Sequence, residues 1–78
     1  MDEDLARIIA TAGMKASKEL GDLIPLLNDH LPDDRELRIG TATAIAEIGL
    51  NVLNPAFERF PALKAEFDRR ADKYGRTV

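Results

Sequence analysis

The sequence predicts an all-α domain, a small bundle of three main helices over residues 3–30, 34–53 and 61–74, with a short helical turn at 55–60 and the middle helix largely buried. Three observations carry this. Apolar residues recur every three or four positions through most of the chain, with no strand alternation. Residues suited to starting or ending helices stand at the expected boundaries. The segment from Asp33 to Asn54 is apolar around most of its circumference. At 100° per residue, Glu36, Thr43, Glu47, Asn51 and Asn54 crowd a strip roughly 80° wide, whereas the apolar positions spread over about 240°. Such a helix needs cover from at least two sides.

In the first segment Leu5, Ile9, Ala12, Ala16, Leu20, Leu23 and Leu27 fall within an arc of about 80°. The stripe passes through Gly21 and Pro25 without changing phase. Pro25 removes the amide that would bond the Gly21 carbonyl, and a glycine there eases the steric conflict. A single bent helix from 3 to 30 follows, with two helices joined at Gly21 as the alternative. Asp2, Glu3 and Asp4 suit the positive end of a helix dipole. Beside the stripe, Ala6, Ala10, Gly13, Ser17 and Gly21 form a small-residue surface. The central helix has small positions of its own, at Gly40, Ala42, Ala44, Ala46 and Gly49, so a close helix crossing is expected.

His30-Leu31-Pro32 ends the first segment, because the residue before a proline is pushed out of the helical region. Asp33 reads as the N-cap of the central helix and Glu36 as its capping-box partner. Asn54-Pro55 reads as a second cap that ends it. In the last segment Phe57, Phe60, Leu63, Phe67, Ala71 and Tyr74 share an arc of about 120°. Pro61 starts the main helix there and Gly75 closes it. Glu66 with Arg70 and Lys64 with Asp68 are i, i+4 pairs. All four aromatic residues lie in this segment, which makes it the source of bulk for gaps left by small residues elsewhere.

Composition narrows the functions. One domain of 78 residues without cysteine has neither disulfides nor the common structural zinc sites to support it, leaving a partner chain as its reinforcement. The net charge is -3, unevenly distributed: residues 1–36 carry nine acids and four bases, residues 37–78 five acids and seven bases. An acidic chain lacks the broad positive field of nonspecific nucleic-acid or anionic-lipid binders. No apolar run is long enough to span a bilayer, and the acidic start MDEDLAR does not resemble an export signal, so a cytoplasmic location is expected.

No constellation names a reaction. Asn28-Asp29-His30 followed by Asp33, Asp34 and Glu36 brings an imidazole near carboxylates, which makes His30, Asp29 and Asp33 candidate metal ligands. The string matches neither the calcium loop nor a two-histidine zinc motif, and capping accounts for the acids after His30. Ser17, Thr41 and Thr43 stand where a hydroxyl bonds the helix backbone, and no glycine-rich phosphate loop is present. No catalytic residue and no cofactor is expected.

The bases of residues 55–76 alternate with Glu58, Glu66, Asp68 and Asp72, as on a solvated face, and the central helix is too apolar for a DNA groove. The reading that remains is a non-enzymatic interaction or regulatory module, with ligand or metal binding second and weak nucleic-acid binding third. Its expected partner is a second copy, with a further protein partner possible. Ile39, Ala42, Ala46, Leu50 and Leu53 are the interface candidates, because two neighbouring helices leave part of the 240° arc uncovered.

Overall fold

The computed structural model describes residues 1–78, all of them helical or in short connections. Four α-helices follow one another: α1 (Glu3–His30), α2 (Arg35–Ile48), α3 (Asn54–Arg59) and α4 (Pro61–Tyr74), with a π-helical turn over Gly49–Leu53 between α2 and α3. Backbone dihedrals stay helical through Ile48, Gly49, Leu53 and Asn54, so α2, the π turn and α3 make one continuous rod. The molecule is thus three rods, as the sequence predicts.

α1 runs unbroken through Pro25 as the single helix expected, not as two helices joined at Gly21. Asp2 caps it, its carboxylate accepting the Leu5 amide at 2.7 Å. The cap of α2 lies one residue later than expected. Asp34, not Asp33, accepts the Leu37 amide at 3.0 Å, so Glu36 sits too early in the helix to complete a capping box. The reason is local: Asp33 is taken up in the turn after Pro32, where its carbonyl accepts the Arg35 amide. Gly75 closes α4 in the left-handed region at φ 71°, where a side chain would be strained, and its amide donates to the Ala71 carbonyl.

Asn54-Pro55 does not end the central helix. Pro55 has no amide to donate, and its ring would collide with the carbonyl of Asn51 in an ordinary α-helical turn. The π turn widens the backbone at that point, and the Asn54 amide donates to the carbonyl of Gly49, five residues back. Its extra residue sets the following side chains back by about 100°. Leu53, which a uniform helix would place with Ile39, Ala42, Ala46 and Leu50, is turned inward onto α1 instead. The proline has moved the helix phase without stopping the helix.

α1 and the central rod pack antiparallel, with Arg38 reaching Asn28 near the connecting turn and Leu53 meeting Gly13 far from it. The face α1 turns inward is chiefly its small one: Ala6, Ala10 and Gly13 are buried, whereas of the expected stripe only Leu27 is buried and Leu5, Ala12, Ala16 and Leu23 are exposed. Small residues win this face because they let the rods approach. A Cβ added at Gly13 would lie 2.7 Å from Leu53 Cδ2 and 3.2 Å from Val52 Cγ1. Gly21, Gly40 and Gly49 have nothing comparable nearby. Gly21→Ala should therefore gain about 1 kcal/mol of helix propensity. Gly13→Ala should lose that gain to overpacking, which costs about 1–3 kcal/mol. Urea titrations of the two variants check the difference.

The core lies at the end of the molecule where all three rods meet. Ala6, Ala10, Ala56, Leu63 and Phe67 are buried together, with Ile9, Leu53, Phe57 and Phe60 packed around them. Here the aromatics fill the space left by alanines, and Phe57 meets Phe67 edge-to-face with centroids 5.7 Å apart. Past the middle of α1 the third rod gives out, and residues 20–30 and 35–46 form a hairpin of two helices alone. The enclosure expected for the middle helix is therefore absent from a single chain: only Thr41 of α2 is buried, its hydroxyl donating to the Leu37 carbonyl at 2.9 Å. Leu37, Ile39, Ala42, Ala46 and Leu50 are exposed.

Candidate functional site

The hairpin has two flanks, and the side chains sort between them by helical position. Ile24 and Asn28 of α1 share a groove with Arg35, Arg38, Ile39 and Ala42 of α2. Leu23 and Leu26, on the other side of α1, therefore share the opposite flank with Leu37 and Ala44. α4 lies on the groove side of α1, where Arg7 pairs with Glu66 and where Met14 and Ser17 border Ala71 and Gly75. The flank bearing Leu23 and Leu26 has no third helix over it anywhere along α1.

On the groove flank, Ile39, Ala42, Ala46 and Leu50 make a stripe at spacings of three, four and four. Ile39 is 51 % and Leu50 61 % exposed, and the two alanines between them are exposed as well. Four of the five expected interface residues thus lie together on the surface. Leu53 does not, since the π turn seats it against Gly13. Arg38 Nη1 donates to Asn28 Oδ1 at 3.3 Å, tying α2 to α1 at the groove, while its Nε is buried without a partner.

The candidate metal ligands do not converge. Asp29 and His30 stand at the exposed end of α1 and Asp33 in the turn that follows. The depression there is lined by His30 to Glu36 in unbroken succession, one turn of chain with no second element facing it. No three histidine or carboxylate side chains anywhere in the chain gather within reach of one ion.

The one polar cluster that joins separate elements was not legible in the sequence. Glu66 of α4 accepts from Arg7 Nε and Arg7 Nη2, each at 3.2 Å, and from Arg70 Nη2 at 2.7 Å. Arg7 also pairs with Glu3 and Asp4, and the Arg70 guanidinium lies 4.5 Å from the Phe67 ring centre. Only the Glu66–Arg70 half had an i, i+4 signal. Arg7 is 59 residues away in sequence.

The hydrogen bonds from Arg7 hold the Glu66 carboxyl below the ordinary carboxylate range; the charges of Arg7, Arg70 and Arg69 add to this and partial burial opposes it. A depressed folded-state value stabilises the fold above the unfolded value and loses that stability as pH falls through the folded one. Glu66→Gln should lower the melting temperature by a few degrees at pH 7, because about a quarter of the Glu66 side chain is exposed and solvent screens the pairs. The gap between variant and parent should close as pH drops below the carboxylate range. Thermal melts across pH 3 to 7 check it.

No protein-family model, curated protein or solved structure matches this chain. No helix is long and apolar enough to cross a membrane.

Proposed function

We propose that the chain is a non-enzymatic protein-interaction module that works as a symmetric homodimer, joined along Ile39, Ala42, Ala46 and Leu50 of α2. The observation that carries this reading is an excess of surface. A compact monomer of 8.6 kDa exposes about 4,700 Å², whereas this chain exposes 5423 Å². The difference, about 700 Å², is close to the roughly 800 Å² that each partner buries in an interface of standard size. Shape agrees: the radius of gyration is 14.2 Å, against about 11.5 Å for a compact domain of this length.

The stripe is self-complementary under a two-fold axis. With two α2 helices antiparallel and the axis passing beside residue 44, Ala42 stands opposite the partner's Ala46 and Ile39 opposite the partner's Leu50. Alanines at the centre let the helices approach, and the larger side chains close each end. Glu47 falls beside the partner's Thr43 and meets no other acid. Sedimentation equilibrium at micromolar concentration tests the reading: a mass twice 8.6 kDa is expected, and a sole species of 8.6 kDa rejects it.

A further inference from the structure

We infer that the opposite flank of the hairpin, the leucine face of α1, is a docking surface for a basic amphipathic helix of another protein. The inference rests on the reading of the chain as an interaction module, not on its dimer. Leu5, Ile8, Ala12, Ala16, Leu23 and Leu26 line one side of α1 over about 30 Å. Ile8 is 65 % and Leu26 53 % exposed, and Leu37 of α2 extends the patch sideways near the turn. A stripe of this length and spacing fits the apolar face of a helix of about 20 residues.

Charge selects the occupant. Glu19 lies within the stripe, Glu36 and Glu47 flank it on α2, and Asp29 and Asp33 border its end at the turn. None of these five acids belongs to an ion pair of the chain, whose pairs involve Glu3, Asp4, Asp22, Glu66 and Asp68. Lys15 is the one unpaired base on this side; Arg35 and Arg38 face the groove, and the other unpaired bases lie on α3, α4 and the tail that follows. A second copy presenting the same face would set these acids against their own kind, which favours a partner carrying lysine or arginine beside its apolar stripe. The acidic rim equally opposes an anionic lipid surface.

Fluorescence anisotropy with two labelled peptides of about 20 residues tests this, one with leucines at helical spacing flanked by lysine, the other with the same leucines flanked by glutamate. A third peptide carries the lysine composition in scrambled order. Binding of the lysine peptide alone is expected, weakening as added salt screens the acids. Ile8→Glu with Leu26→Glu should weaken it about tenfold or more, and Glu19→Lys with Glu36→Lys should abolish the preference for the lysine peptide over the glutamate peptide. All four positions are exposed, so the variants should keep their helical circular dichroism. Ala46→Glu, on the other flank, should leave peptide binding unchanged while altering the sedimenting mass, so the two readings fail separately. Equal binding of all three peptides, absence of binding, or an Ile8/Leu26 variant that binds like the parent overturns the inference.

Discussion

Phe67→Ala is expected to unfold the chain at physiological temperature or leave it with only residual stability. Phe67 and Leu63 are the two largest side chains in full burial, and both come from α4. The Phe67 ring fills the space over Ala6, Ala10 and Ala56, meets Phe57 edge-to-face and supports the Arg70 guanidinium on its other contact. None of the surrounding alanines can reach into the hole its removal would leave, so the cavity term adds to the lost transfer energy. Phenylalanine-to-alanine changes in such settings cost about 3–5 kcal/mol. A domain of 78 residues has about 4–12 kcal/mol in total. Urea unfolding followed by circular dichroism should show the midpoint lost or moved close to zero denaturant. Tyr74→Ala, at the exposed end of the same helix, should barely move it.

Ala46→Glu is expected to act on association and leave the fold alone, the reverse of Phe67→Ala. In one chain Ala46 is exposed, so a carboxylate there is hydrated and the helix tolerates it. In the proposed dimer the same carboxylate would be pressed against the partner's Ala42 at the centre of the apolar stripe. Truncations that leave an interfacial charge unpaired cost about 2–5 kcal/mol, and inserting one should weaken the dimer on a similar scale, by about 30-fold or more. The variant should sediment as a monomer with parental helical content, and its melting temperature should no longer depend on protein concentration. Ala62→Glu, exposed at the start of α4 and away from the stripe, should leave the mass unchanged.

Most of the architecture was legible because it rests on periodicity and end signals. The span of α1, its passage through Pro25, the start of α4 at Pro61 and its close at Gly75 all follow from local chemistry. What went astray did so where a choice between neighbours is made by packing. Asp33 and Asp34 are equally good caps by type, and the turn after Pro32 took the first. Asn54-Pro55 carries the signature of a helix start, but the chain kept its helical dihedrals and absorbed the proline in a π turn. That single event explains why four of the five expected interface residues stay on one stripe and Leu53 leaves it. For α1 the largest apolar residues marked the inward face by hydrophobicity alone, whereas contact distance decided for Ala6, Ala10 and Gly13. The Arg7–Glu66 pair had no signal at all, since it depends on where α4 lands.

The proposed antiparallel pairing of α2 can be tested directly, because the chain has no cysteine to interfere. Ala42→Cys and Ala46→Cys chains are prepared separately, mixed, refolded together and oxidised gently. The proposed two-fold arrangement would set Ala42 of one chain opposite the partner's Ala46, within disulfide reach. It would hold like positions several ångströms further apart, beyond the roughly 7 Å Cα limit for a disulfide. The mixture should therefore form a covalent dimer joining one chain of each kind, and either variant alone should cross-link slowly. Rapid cross-linking of either variant by itself, or none in the mixture, would contradict the account.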